Sequence, residues 1–577
     1  MIHFVKYSNK IQSNFVFNFI TFLILGSVLI FLAWGVKQMS APIEVLNQIP
    51  VTLEYGNLFG YSFRTLLRML IAMLISLIFT FIYATLAAKN KKCEQILIPL
   101  LDILQSLPIL GYISFSVTIF LTIFPSSVMG AEVAAIFAIF TSQAWNMTFS
   151  FYYSLKSVPQ DLKDVADIFA LSKWRQFWQI SVPFALPGLI WNIVISISSG
   201  WFFVVASEVI MVGNSNITLP GIGSYIALAI EQQNMYAIIY AIIAMSLVII
   251  LYDQLLLRPL VVWSDKFRYE MTIGDNRGQS WVFNIFQRSA IIKSLLLPIT
   301  YITKFLLYLP ILNYQKKSNH NSPSNFLKYR RSLLDYLWYL SLFAITCFSL
   351  GHIYNFLQDI VGWDEVKNVL ILSSITMWRV VVLIILAAII WVPIGIYVGL
   401  NPKLTAFVQP IAQFLAAFPA NLLFPVVFIV ITSYNLNPNI WLSPLMIMGT
   451  QWYILFNVIV GASSIPNDLK DATKILKVSG WLWWHKVMIP AITPNFIVGA
   501  IAASGGAWNA SIVAEIINFG GKTIVAKGIG SYITECTINS EFNKIALGIG
   551  MMALFVVCSN RLFWRPLYQY CIKRFQI

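Results

Sequence analysis

Residues 15–36 read FVFNFITFLILGSVLIFLAWGV, a run without a single charge, and runs of this kind recur along the whole chain. Where no water is present each backbone N–H and C=O must pair internally, so an apolar run of roughly 20 residues has one stable form, a membrane-spanning helix. With 58% hydrophobic residues, 11% charged residues and a mean hydropathy of +0.76, the chain lacks the polar surface a water-soluble protein requires. Apolar runs predict spans near 15–36, 62–88, 97–124, 129–155, 179–211 and 235–261, then 333–353, 369–399, 406–432, 440–462, 486–517 and 543–563. The expected fold class is therefore an all-α polytopic membrane protein with about twelve transmembrane helices. The first run is too long for a signal-peptide core and reads as a retained helix.

The net charge of +15 reflects orientation rather than nucleic-acid binding. Lys6, Lys10, Lys89, Lys91, Lys92, Lys156, Lys163, Lys173 and Arg175 all fall on one side of the predicted spans, as the positive-inside bias requires. That side is read as cytoplasmic, with both termini on it. The five cysteines show no CxxC spacing and the four histidines are dispersed, which argues against a disulfide framework or a metal centre.

The chain repeats itself. Residues 157–174, SVPQDLKDVADIFALSKW, return at 464–481 as SIPNDLKDATKILKVSGW, an offset of 307 that holds for about a hundred residues. It pairs Trp201 with Trp508, Glu208 with Glu515, Arg258-Pro259 with Arg565-Pro566, and the run GIGSYI at 221–226 with 528–533. Upstream the offset is 311, pairing Thr65 with Thr376, Arg68 with Arg379 and Pro108 with Pro419. Six predicted spans in each copy make these parallel repeats, which enter the membrane in the same direction. The division is 1–263, 264–332 and 333–577. The middle segment holds eleven Lys or Arg against three acids, and its apolar stretch 289–312, interrupted by Lys293, Pro298, Lys304 and Pro310, reads as an interfacial helix on the cytoplasmic leaflet.

Within the duplicated polar patch, Pro159 stops one helix and the next residues form a short amphipathic helix, about 160–174, with Leu162, Val165, Ala166, Phe169 and Ala170 on one side. Asp161 and Asp164 occupy its first turn, where acidic groups suit the helix dipole. The second copy spans about 467–481, with Asp468 and Asp471. Both stretches resemble the cytoplasmic EAA coupling loop of permease subunits of ABC importers. The pattern falls on Asp164-Val165-Ala166, Ala170 and Ile180-Ser181-Val182-Pro183, and again on Asp471-Ala472-Thr473, Lys477 and Val487-Met488-Ile489-Pro490. Lys477 departs from it, because the family places a small residue there. Ser172 and Trp174, repeated as Ser479 and Trp481, together with VVASEVI, IVAEII and the two GIGSYI runs, are similar to the branch that imports nitrate, sulfonates, taurine or bicarbonate.

The resemblance covers about 60–263 and 370–570. It implies a type I ABC importer permease with two copies fused in one chain, in a bacterial inner membrane. It also implies two separate ATPase subunits holding ATP and Mg, which grip the paired loops, and an extracytoplasmic binding protein that delivers cargo. The chain itself carries no ATPase motif and no cofactor site. Its only GKT, Gly521-Lys522-Thr523, has Ile516 where a phosphate-binding loop needs glycine.

Charges inside spans usually face the bundle interior. Depth and repetition predict that Arg68 pairs with Glu208 and Arg379 with Glu515, in the half of each bundle far from the coupling loops. Alternatively the arginines line an anion path with Trp201 and Trp508 beside them, although interfacial anchoring is the commoner work of tryptophan. Pro108 and Pro419 break the third span of each half and, with Asn421, are candidate gating positions. Two other classes stay open here, a motor-independent secondary transporter or channel and a membrane scaffold.

Overall fold

The computed structural model describes residues 51–267, 280–289 and 351–575, except 126, 213–214, 464, 466–468, 470–471, 474 and 520–521, together with 18–23 and scattered single positions elsewhere. Most of the first predicted span of each half and most of 289–312 lie outside these residues. The described part of the linker contains the helix Trp281–Arg288, which buries Val282, Phe283 and Ile285.

In the first half, α1 (Tyr55–Lys89) is followed by α2 (Lys91–Ser106), α3 (Ile109–Ile123), α4 (Val128–Lys156), the short α5 (Gln160–Ile168) and α6 (Lys173–Ser207). A hairpin of β1 (Val209–Val212) and β2 (Ser215–Thr218) leads into α7 (Ile222–Glu231) and α8 (Met235–Ser264). The second half repeats this order. Its long helices are Trp363–Gly399, Gly480–Ala514 and Phe542–Cys571, and its hairpin pairs Ile516–Phe519 with Lys522–Val525. Among the described residues seven helices are long and apolar enough to cross a membrane, or nine if two bent pairs count as single spans.

The third span breaks at Pro108 and Pro419, where the sequence places the interruption, because proline removes a backbone donor and disfavours the α conformation of the residue before it. Leu107 and Phe418 are accordingly extended, and the second-half pieces Lys403–Ala417 and Ala420–Ser433 meet at 76°. The fifth span stops at Ser207 and Ala514 rather than at 211 and 517, since the chain there turns into the two antiparallel hairpins. A further bend of 45° separates Pro438–Met448 from Gln451–Ser463.

In the first half hydropathy sorts the helices by depth in the bundle. The most apolar stretch of α1 is only 33% buried within the protein and leaves Leu74, Ile75, Ile78 and Ile82 facing outward, whereas that of α4, the least apolar span, is 83% buried. A helix surrounded by protein can carry Glu132, Thr141, Ser142, Gln143 and Thr148, which lipid would not tolerate. Helices α4, α1 and α6 form the core of the first bundle, and Gly480–Ala514 with Gln451–Ser463 and Trp363–Gly399 that of the second.

Candidate functional site

The duplicated polar loop is built in the same way twice. Helix α5 ends with Leu171 N–H donating to the Ala166 carbonyl at 2.9 Å and Ala170 N–H donating to that of Asp167 at 3.0 Å. This closing loop needs a left-handed residue one place beyond the cap, and Ala170 takes it at φ 47°. In the second copy Leu469, Ala472, Thr473 and Ile475 are helical, Val478 N–H donates to the Thr473 carbonyl at 3.0 Å, and Lys477 sits at φ 50°. The position where the resemblance calls for a small residue is thus a backbone requirement that alanine and lysine both meet under strain. Asp468 and Asp471 lie outside the described residues.

Only Ala166 is fully buried on α5, while Asp161 and Asp164 are exposed. Phe169 is not on the packed side as the helical pattern predicted, because the closing turn carries it outward. Ile168 and Phe169 are 80% and 73% exposed, and Ile475 and Leu476, at the same places in the second copy, are also 80% and 73% exposed. Ser172 is buried and caps the next helix by accepting from Arg175 N–H at 3.3 Å, and Trp174 packs edge-on against Trp178. Ser479 makes no side-chain cap, and Trp481 is 77% exposed.

At the far end of each bundle stands an ion cluster. From Lys89, next to the coupling side, to Arg68 is 21 helical residues, roughly 32 Å at 1.5 Å per residue. Arg68 Nη1 donates to Glu208 Oε1 at 2.7 Å, and its Nε and Nη2 make a fork on Glu132 at 2.6 and 2.7 Å. Glu208 also accepts from Thr65 Oγ1 at 2.6 Å and from Gly223 N–H at 2.6 Å. In the second half Arg379 meets Glu515 at 3.1 Å, Thr376 donates to the same carboxylate at 2.8 Å, and Gly530 and Ser531 N–H follow at 2.8 and 3.2 Å.

This geometry explains the repeated GIGSYI. The run opens α7 and its counterpart Ile529–Ile538, and the glutamate that ends the preceding span plugs the helix N-terminus, where free N–H groups and the dipole favour an anion. A Cβ on Gly221 or Gly528 would stand 2.2 Å from that carboxylate, so glycine is required by space. Both φ values are −176°, which any residue could adopt.

Sequence reasoning missed Glu132, whose counterpart under the 307 offset is Asn439. Asn439 accepts from Arg379 Nη2 at 3.2 Å and from Lys527 N–H at 2.9 Å. The matching exchange is Pro220 for Lys527: proline has no N–H to offer, and its carbonyl instead accepts from Arg68 Nη2 at 3.1 Å. Side-chain exposure is 0% for Arg68 and 11% for Arg379.

A third feature lies between the halves. A cavity of about 140 Å³ is lined from both sides, by Gln105, Ile109, Asn146 and Ser199 of the first half and by Phe418, Ala420, Tyr453 and Asn509 of the second, among others. The breaks at Pro108 and Pro419 therefore border it. Ile109 N–H, freed by the break, donates to Asn509 Oδ1 of the other half at 2.8 Å. Asn421 does not line the cavity, although its Oδ1 is buried and without a hydrogen-bond partner. Neither arginine lines it either. Trp201 and Trp508 are 1% and 2% exposed, packed against Tyr252 and Phe555, so they are core residues rather than interfacial anchors.

The duplicated Arg-Pro pairs bind the halves together. Arg565 Nη2 donates to both oxygens of Asp102 at 2.5 Å. At the mirrored place Gln413 Nε2 donates to Asp253 Oδ1 at 3.0 Å, and Asp253 is itself paired with Arg258 at 3.0 Å. The 311 and 307 offsets equate Asp102 with Gln413 and Arg258 with Arg565, so where the first seam contact is a direct ion pair, the second reaches its arginine through Asp253, whose counterpart is Asn560.

Comparison with known proteins agrees with this arrangement. The family described as binding-protein-dependent transport system inner membrane component matches residues 81–257 and again 391–563. The chain is 33% identical over 165 residues to the bicarbonate transport system permease protein CmpB of Synechococcus elongatus, covering 28% of this chain and 56% of that one. It is 28% identical over 185 residues to the nitrate import permease protein NrtB of Leptolyngbya laminosa, covering 32% and 62%. A putative aliphatic sulfonates transport permease protein SsuC of Bacillus subtilis is 25% identical over 185 residues, covering 31% and 62%. The chain thus spans somewhat over half the length of these relatives.

Proposed function

Since this chain belongs to the binding-protein-dependent transport system inner membrane components and carries their permease unit twice, we propose that it is the whole translocation pathway of an ATP-driven importer for a small anion. The cargo class is that of nitrate, bicarbonate or a small sulfonate, as the names of its relatives suggest. Two partner ATPase subunits hold ATP and Mg, and an extracytoplasmic binding protein presents the cargo. The chain contributes no hydrolytic site of its own, and both termini and both coupling elements face the cytoplasm.

The reading rests chiefly on one observation: the coupling elements expose matched apolar pairs, Ile168-Phe169 and Ile475-Leu476. Apolar side chains this exposed at the tips of polar loops favour a protein partner that covers them. Two such tips on parallel repeats suit a two-fold motor whose closure rocks one bundle against the other. The contacts Asp102–Arg565 and Gln413–Asp253 lie on the seam such a motion would work.

Co-purification of ATPase subunits with the tagged chain from its native membrane tests the reading. The native chain retains them, and the double variant Ile168→Asp, Ile475→Asp loses them while remaining folded in the membrane. A double variant that holds its ATPases undiminished would remove the coupling role, as would uptake that continues without ATP.

A further inference from the structure

The last long helix of the second half, Phe542–Cys571, carries Arg561, Arg565 and Gln569 at intervals of four residues, so the three form one stripe along its side. The stripe faces α2 of the first half across an open pocket of about 370 Å³, whose other walls are Ile98, Pro99, Asp102 and Pro566. Arg565 is committed to Asp102, donating to both of its oxygens at 2.5 Å. Arg561 is not: it stands 3.9 Å from that carboxylate, beyond hydrogen-bond range, and half of its side chain is exposed. Among the described residues lining the pocket, two guanidinium groups therefore share one carboxylate, and a net positive charge is left over.

The mirrored pocket has no such surplus. The offsets place Pro410 and Gln413 opposite Pro99 and Asp102, and Gln254 and Arg258 opposite Arg561 and Arg565. With Asp253 these residues line a space of about 250 Å³. There one arginine meets one acid, Arg258 on Asp253 at 3.0 Å, and the charges cancel.

The surroundings of Arg561 decide which anion can reach it. Arg565 lies 23 residues along its helix from Phe542, roughly 35 Å, at the end of the bundle that carries the coupling loops. Leu100 and Ile103 flank Asp102, and Leu562 and Phe563 adjoin Arg561, all four exposed as lipid-facing side chains are. Guanidinium groups on apolar stems beside such residues mark the level where acyl chains give way to headgroups.

We propose that this pocket holds the headgroup of one anionic phospholipid from the leaflet on the coupling side. The phosphate sits on Arg561 and on the N–H groups of Arg565 that Asp102 leaves unused, and the glycerol backbone rests against Ile98, Pro99 and Pro566. Planar guanidinium forks match phosphate oxygens, and basic pockets between spans at this depth select anionic lipids. Bound there, the lipid straddles the seam between α2 and the last helix. The proposal is independent of the identity of the cargo.

The full chain, stripped of lipid in a neutral detergent, is titrated with dioleoylphosphatidylglycerol, and bound lipid is counted by native mass spectrometry. One lipid binds ahead of the rest, and dioleoylphosphatidylcholine, with the same tails and no net charge, does not replace it. Arg561→Gln weakens that first lipid about fivefold, the value of one basic group beside an anionic surface, and Arg561→Lys restores most of the affinity. Gln569→Glu sets a like charge at the rim and weakens it too. Lys91→Gln, at an exposed cation outside the pocket, has no effect. Each variant leaves the Asp102–Arg565 pair in place. Equal affinity in wild type, Arg561→Gln and Gln569→Glu overturns the proposal, as does equal binding of the zwitterionic lipid. Displacement of the lipid by millimolar inorganic phosphate also overturns it, giving the pocket to a soluble anion.

Discussion

The unequal ion clusters make a quantitative comparison possible between two arginines that the sequence treats as equals. Arg68→Met strands two carboxylates, Glu132 and Glu208, whose side chains are 4% and 0% exposed. Arg379→Met strands only Glu515, because Asn439 stands where the second acid would be. An unpaired buried carboxylate can always escape by taking up a proton. That caps its cost at pH 7 at about 3.7 kcal/mol, from an ordinary value near 4.3 and 1.36 kcal/mol per unit.

Glu515 keeps the N–H groups of Gly530 and Ser531 and the Thr376 hydroxyl, so its loss falls short of the cap, at about 2–3 kcal/mol. The first half carries one carboxylate more. Arg64, half-buried one turn earlier and within Coulombic reach of Glu132, trims the sum to about 4–6 kcal/mol. At about 2–4 °C per kcal/mol for a unit of this size, Arg68→Met should melt some 4–12 °C below Arg379→Met in detergent. Adding Glu132→Gln to Arg68→Met should close most of the gap. Equal losses, a larger loss for Arg379→Met, or no recovery from Glu132→Gln would refute the reasoning.

Three further outcomes follow. Gly221→Ala and Gly528→Ala drive a methyl group into the carboxylate that caps the following helix, and each should destabilise by about 2–4 kcal/mol in thermal unfolding, whereas Ser196→Ala, which removes a buried hydroxyl without a hydrogen-bond partner, should cost nothing. Lys477→Gly and Ala170→Gly relieve a left-handed backbone and should each raise stability by about 0.5–1 kcal/mol, net of the greater freedom glycine gives the unfolded chain. Glu94, outside the spans, accepts from Lys156 at 2.8 Å and Tyr152 at 2.5 Å, and these bonds hold its carboxyl below the ordinary value. Its stabilisation, at most about 1 kcal/mol, is therefore present above the ordinary glutamate value and lost as pH falls through the depressed one, so the Tm difference between wild type and Glu94→Gln should shrink only in that acid window.

The spans, the duplication and the paired polar helices were legible because each is written in a local pattern: apolar runs, a fixed offset, and a proline followed by acids. Partners that meet through a repeated depth, such as Arg68 with Glu208, could be read the same way. Glu132 could not, since its counterpart is an asparagine and the search for pairs followed identity between the copies. Comparing the copies where they differ would have found it, along with the Pro220 and Lys527 exchange.

The hairpins after Ser207 and Ala514 were hidden because their apolar residues extend the hydropathy of the preceding span. Trp201 and Trp508 were misplaced because burial by tertiary packing leaves no mark on one helix. The cavity between the halves is likewise invisible in either copy alone, since its walls come from both.

The central claim is that the two exposed coupling tips face the same aqueous compartment as the ATPases. In inside-out and right-side-out vesicles of a chain whose native cysteines are replaced, Ile168→Cys and Ile475→Cys should each react with a membrane-impermeant maleimide in the inside-out preparation alone. Reaction of the two from opposite faces, or of both from the outside, would contradict the account.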